Sequence, residues 1–442
     1  MAETKVSAAE REPEAQSASP EGQGKRSLLR SLGDRMRSAE IDYRLAGMLL
    51  ALAIIWIVFH IITPGHTFLT PRNLWNLSVQ TAVVAIMATG MVLIIVTRNI
   101  DLSVGAVMAA VGMAMAIVQH DWLPKWLGFD HPLTWVIAIS VGLLLGAAIG
   151  AFQGTIIAYV GVPSFIVTLG GFLVWRGVAW WMASGQTLAP MDTLFRKLGG
   201  GSTGTIGGGW SWILAIAACM GIVLLQFTKR RQRRRYGFRQ RPMWAELALA
   251  VIACGAVLLL VGFLNRYYLP PALAAQAGKA GQNISLGLAY PVLIAIGVGI
   301  VMTFIATRRR FGRSVYAIGG NPEAAELAGI KTRRTIVKTF TLMGLLVGLA
   351  AAVQIARLNA AVSSLGTGME LNVIAAAVIG GTSFAGGVGT IVGALLGALI
   401  MQSLVSGMVL MGIEAPLQDI VVGIVLVLAV TLDTIVRRRA AK

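Results

Sequence analysis

Charge is scarce in this sequence: of 442 residues only 13% are Asp, Glu, Lys or Arg, about half the share of an average soluble chain. With 56% hydrophobic residues and a mean hydropathy of +0.75, a single soluble globule is excluded. Cysteine is nearly missing as well. Cys219 and Cys254 lie inside apolar runs without metal-ligand spacing or a nearby histidine, so they read as ordinary core residues and no metal site is expected. The four histidines, His60, His66, His120 and His131, are scattered. No H-E-x-x-H, G-x-S-x-G or paired-carboxylate pattern occurs, so no covalent chemistry and no catalytic residue are expected. The Gly-Lys pairs, Gly24-Lys25 and Gly278-Lys279, lack the upstream glycine and following Ser/Thr of a phosphate-cradling loop. This chain therefore does not hydrolyse ATP by itself.

What is present is length without charge. A bilayer-crossing helix needs about 20 mainly apolar residues, and twelve such runs occur: 45–62, 77–97, 104–119, 134–160, 163–184, 210–228, 243–264, 290–307, 339–356, 371–384, 388–411 and 417–436. They are continuously apolar, unlike the short alternating strands of a membrane barrel. The chain is therefore an all-α polytopic membrane protein. With the N-terminus cytoplasmic and every run crossing, 29 of the 37 basic residues fall in inner segments, which places both termini in the cytoplasm. Run 371–384 is short enough to be re-entrant, but demoting it alone would put Arg437, Arg438 and Arg439 outside. Re-entrant segments must come in pairs, which leaves ten to twelve transmembrane helices, some broken.

The resulting organisation is a disordered cytoplasmic tail over 1–44, a membrane half over 45–228, a basic linker over 229–242, a second half over 243–436 with a cytoplasmic loop over 308–338, and a basic tail over 437–442. The tail 1–44 has no apolar h-region and is not a signal peptide. The linker holds eight basic residues between Lys229 and Arg241 and suits a stop-transfer role against anionic lipid. Residues 199–209, rich in glycine, form either a flexible outer loop or an outer docking surface. Gly142, Gly146, Gly150 and Gly154 recur every four residues, as do Gly389, Gly393 and Gly397, with Gly344 and Gly348 as a shorter instance. Such faces allow helices to approach closely.

The loop over 308–338 carries a strongly punctuated segment. Asn321 suits a helix N-cap, Pro322 its first position, Glu323 the positive end of the dipole, and Gly329 a left-handed stop. A helix of about seven residues over 322–328 is too short to stand alone in water, so it either docks into a partner or is a surface turn held by its own chain.

Two polar clusters interrupt the apolar runs. Asn99, Asp101 and Ser103 sit between the second and third runs, where the carboxylate either caps a helix, pairs with Arg98, or lines a pathway. Glu370, Asn372, Thr382 and Ser383 surround the short run and its glycine turn, the kind of segment that marks transporter sites. Trp175, Trp180 and Trp181 would give either an aromatic face for a ligand or an interfacial belt. Gln153, Gln354 and Gln402 are further candidates.

Glu323-Ala324-Ala325 followed by Gly329 resembles the EAA-x-x-x-G loop of ATP-binding-cassette importer permeases. RNIDLSVG at Arg98–Gly105, VPSFIVTLGG at Val162–Gly171 and AAVIGGTSFAGGVGTIVGA at Ala376–Ala394 resemble the branch importing ribose, xylose and related monosaccharides, nearer the xylose type. Many members of that branch have Gly-Gly where this chain has Arg98-Asn99, which puts ribose in doubt. The resemblance implies a permease that moves a monosaccharide, with a pentose such as xylose favoured, across a bacterial inner membrane by alternating access. It implies coupling residues Asn321, Pro322, Glu323, Ala324, Ala325 and Gly329. It also implies an ATPase partner holding ATP and Mg, a periplasmic sugar-binding protein, a second permease chain, and no cofactor on this one. An ion-coupled secondary sugar transporter is the alternative.

Overall fold

The computed structural model describes residues 43–238, 242–276 and 281–440; the tail expected before Tyr43 lies outside the described residues. Each apolar run forms one helix. They are α1 (Tyr43–Ile62), α2 (Pro71–Val96), α3 (Val104–Ile117, continued to Leu127), α4 (Thr134–Thr155), α5 (Ser164–Met182), α6 (Gly207–Arg235), α7 (Met243–Leu264) and α8 (Tyr290–Arg308). Two shorter helices, α9 (Arg310–Gly320) and α10 (Pro322–Leu327), precede α11 (Thr332–Leu358), α12 (Met369–Ile379), α13 (Ile391–Leu410) and α14 (Ala415–Ala440). Among the described residues ten helices are long and apolar enough to cross a membrane, while α12 and the apolar part of α14, Ala415–Thr431, are shorter. The expected range of ten to twelve holds.

The described residues divide into two compact units, one within 221–254 and the other within 43–220 and 255–440. In the first, the basic stretch after Lys229 is helical as far as Arg235, and Arg230 pairs with Glu246.

The second unit holds the core. In α2, 89% of the crossing span is buried by neighbouring helices, and in α3 83%, against 17% in α1 and 11% in α5. An apolar side chain is at home facing either lipid or protein, so composition does not distinguish these helices; packing does. The α4–α11 pair is the most extensive contact, and its cause is the glycine spacing. A Cβ on Gly146 would strike the Gly344 carbonyl, one on Gly150 the Phe340 carbonyl, and one on Gly344 the Gly146 carbonyl. The two glycine faces therefore pack on each other, gaining backbone-to-backbone contact that larger side chains would forbid. The same device joins α13 to α12, where Gly393 meets Gly380 and Gly397 meets Ala376.

Local chemistry sets the helix ends. Thr70 accepts from the Asn73 N–H at the start of α2 at 3.4 Å, with Pro71 in the first turn, and Thr390 accepts from the Gly393 N–H at the start of α13 at 3.1 Å. Beyond the far end of α11, Leu188 pairs with Ala361, and Thr205 pairs with Ala289 in a second isolated bridge.

Candidate functional site

The segment over 321–330 is built as its sequence prescribes. The Asn321 Oδ1 accepts from the Ala324 N–H at 3.0 Å, Pro322 occupies the first turn, and Gly329 sits at φ +82°, a conformation that side chains rarely adopt. The closing bonds run from the Gly329 N–H to the Glu326 carbonyl at 2.9 Å and from the Ile330 N–H to the Ala325 carbonyl at 3.0 Å, the nested pattern that satisfies a helix C-terminus. Ala325 alone of α10 turns inward, while Pro322, Glu323, Ala324 and Glu326 are exposed. Leu327 is 90% exposed. It is an apolar side chain held outward on a turn capped at both ends.

Helix α9 explains how so short a turn is held, and the sequence reading missed it. Gly312, Val315, Ile318 and Gly319 form its buried face, and Phe311 packs on the core. Phe311, Val315 and Ile318 recur at helical spacing, so the signal was available. The Tyr316 hydroxyl donates to the Gly389 carbonyl at 2.8 Å; burial raises that hydroxyl above its ordinary value, so it stays a neutral donor.

Two broken segments meet this element. Between α2 and α3 the Asp101 carboxylate is buried and accepts from the Ser103 N–H at 2.9 Å and the Ser103 hydroxyl at 2.7 Å, shaping the turn into α3. Arg98 does not pair with it: its guanidinium donates to the Gly319 and Gly320 carbonyls at the end of α9. Asn99 turns back on Thr97, with its amide 3.1 Å from that residue's carbonyl and hydroxyl. Gln153 Oε1 lies 3.1 Å from Ser103 Oγ. Thr382 and Ser383 are buried in the second break, between α12 and α13, and the Gly387 N–H reaches the Val96 carbonyl at 3.0 Å. Asn99, Asp101, Ser103, Thr382 and Ser383 thus lie in two breaks that meet at the end of α9. Glu370 lies against Gly105 in the first turn of α3, two residues beyond Ser103.

Asn372 belongs to a different place. In the second unit α2 and the end of α11 line two open polar cavities of about 420 and 360 Å³ that share Gln80 and Arg357, the first completed by residues 196–203 and the second by α12, α13 and the loop before α12, each of a size that holds a small ligand. Their polar lining includes Asn76, Gln354, Asn372 and Gln402. The Gln402 amide donates to Gln80 Oε1 at 3.0 Å, and Arg357 donates to Gln354 Oε1 at 3.2 Å. The Asn372 Oδ1 is buried without a hydrogen-bond partner. Trp75 lends an aromatic wall, its indole fixed on the Gly287 carbonyl at 2.8 Å. Trp180 and Trp181 are exposed instead. Of this lining the sequence reading picked out Gln354, Asn372 and Gln402. Asn76, Gln80 and Arg357 were also polar residues in or beside apolar runs, but only the fold shows that they converge. Arg176 is another such residue, bonded to the Ser363 and Leu365 carbonyls at 2.9 and 2.8 Å.

A permease family described as branched-chain amino acid transport system / permease component matches residues 73–430. The xylose transport system permease protein XylH of Escherichia coli (strain K12) is 38% identical over 397 residues, covering 89% of this chain and 92% of the relative. The ribose import permease protein RbsC of the same organism is 32% identical over 385 residues, 87% of this chain and 92% of the relative. Its D-allose transport system permease protein AlsC is 28% identical over 392 residues, 89% and 92% respectively. No solved structure matches. The relatives are transport components and not enzymes, and nothing in them supports an ion-coupled transporter. A match over most of the membrane region, by a family model and by relatives of nearly equal length, establishes that this chain belongs to the family of importer permease components.

Proposed function

We propose that this chain is the permease subunit of an ATP-driven monosaccharide importer, with α10 as the dock for the ATPase and the amide-lined cavities as part of the sugar path. The observation that carries the reading is Leu327, fully presented on a capped turn whose base is anchored in the core. The permease would lie in a bacterial inner membrane, with both termini and α10 on the cytoplasmic side, and would work as a pair of copies served by a periplasmic binding protein. ATP and Mg belong to the ATPase. Asn321, Pro322, Glu323, Ala324, Ala325 and Gly329 form the coupling set.

A sugar offers hydroxyls that both donate and accept, and carboxamides match them group for group. Gln80, Gln354, Asn372 and Gln402 supply four, and Trp75 supplies an apolar face. With the relatives' xylose, ribose and allose, this favours a monosaccharide, and the identity to XylH favours a pentose. Motion of the ATPase would shift α9 and α10 together and turn the packed helices as rigid bodies, opening the path to alternate sides.

The test is Gly329→Ile. A β-branched residue at φ +82° is strained, so α10 loses its C-terminal stop while the membrane helices are untouched. Insertion should persist, and ATP hydrolysis should no longer drive sugar uptake. Wild-type uptake in this variant would remove α10 from the mechanism.

A further inference from the structure

We propose that Arg98 is a positioning residue that ties the coupling element to the break between α2 and α3, so that motion of α9 and α10 reaches the buried start of α3. The proposal rests on α10 being the ATPase dock, but it concerns a different contact, carried by a residue that the coupling motif does not include.

Three segments converge at this point. Arg98 holds φ +62°, a left-handed conformation unusual for a long side chain and natural to glycine. From there its Nε donates to the Gly319 carbonyl at 2.9 Å and a terminal nitrogen donates to the Gly320 carbonyl at 2.8 Å. Both acceptors belong to the last turn of α9, whose carbonyls have no partner within the helix and sit at its negative end. A planar fork bonding two successive carbonyls fixes orientation as well as distance. The residue before α10 begins is Asn321, one position beyond the second acceptor.

The contact is also built from the other side. Gly319 approaches the Val96 carbonyl and the Gly387 backbone so closely that no Cβ would fit, and Gly386 leaves room for the Arg98 side chain in the same way. The Gly387 N–H to Val96 bond and the Tyr316 hydroxyl bond to Gly389 hold the third segment. Downstream of Arg98 the chain has little freedom. The Ile100 N–H bonds the Ser164 hydroxyl at 3.2 Å, the Thr168 hydroxyl bonds the Ile100 carbonyl at 3.3 Å, and Asp101 grips Ser103 at the first turn of α3. A displacement of the α9 terminus therefore passes through one side chain into a loop that is fixed to both α3 and α5.

The test compares Arg98→Gly and Arg98→Lys with the wild-type chain, reconstituted with its ATPase and binding protein in vesicles. D-Xylose uptake, ATP hydrolysis and thermal unfolding are measured together. Glycine suits the φ at this position, which offsets part of the loss of two hydrogen bonds, so Arg98→Gly should still accumulate as folded protein. Its ATP consumed per sugar imported should rise about tenfold, the scale on which single links alter coupling between distant sites. Lysine keeps the charge but cannot fork, and should fall between the two. A merely structural role would lower the unfolding temperature and leave the ratio alone. A wild-type ratio in Arg98→Gly, or in Arg98→Lys if the glycine variant does not accumulate, would overturn the proposal. Failure of the docking reading itself shows separately, as normal ATPase assembly with Leu327→Asp.

Discussion

Two stretches of this chain carry eight basic residues each, between Lys229 and Arg241 and between Arg308 and Lys338, yet they are built for different ends. The first continues α6 as far as Arg235, with Arg231, Arg234 and Arg235 open to the surroundings. The second folds back onto the core through Val315 and Ile318, is strapped by Tyr316 and Arg98, and raises one leucine at its tip. Equal charge gives both the same claim to a membrane face. The difference is rigidity, and rigidity is what a contact needs if it is to transmit motion instead of only adhering.

The comparison can be broken or sharpened by substitutions of decreasing effect. The largest is Gly146→Leu, which places a side chain where the Gly344 backbone now lies. Overpacking of this kind costs at least about 1–3 kcal/mol, so folded protein recovered from membranes should drop sharply and detergent-solubilised material should aggregate. Recovery at wild-type levels would mean that the α4–α11 contact is not needed to support the coupling end. Next comes Leu327→Asp. An apolar anchor at the centre of an interface carries about 2 kcal/mol or more, so the ATPase should co-purify at least about tenfold less well while insertion is unchanged.

A smaller effect is expected in the path. Gln402→Ala removes the Gln80 partner and one potential sugar contact, and a hydrogen bond of about 1 kcal/mol predicts that half-maximal uptake will need roughly fivefold more loaded binding protein. Unchanged uptake would move the path away from these cavities. The smallest effect belongs to the first basic stretch: replacing Arg231, Arg234 and Arg235 with Gln should leave uptake within about twofold while weakening interaction with anionic lipid by roughly 1 kcal/mol per residue.

Much of this was legible beforehand, for identifiable reasons. Helices longer than a bilayer is thick announce themselves because lipid demands internally bonded backbone, and Asn321, Pro322 and Gly329 mark α10 because each obeys a local rule of helix ends. The glycine faces of α4 and α11 were legible one at a time; their pairing was not, since a spacing names a face without naming its partner. Arg98 showed as a departure at a glycine position and as a candidate partner for Asp101, whereas its bonds to Gly319 and Gly320 join residues 221 and 222 positions away. The cavity is the extreme case. Asn76, Gln80 and Arg357 each look like an isolated polar residue in or beside an apolar run, and they line the cavities with Asn372 only when α2, α11 and α12 have packed.

The most direct test of the account places a photoactivatable crosslinker at position 327 and, separately, at position 234, in vesicles containing the ATPase. The account predicts that illumination captures the ATPase from position 327 and not from position 234. Capture from position 234 with none from 327 would contradict it, and would transfer the coupling role to the other basic stretch.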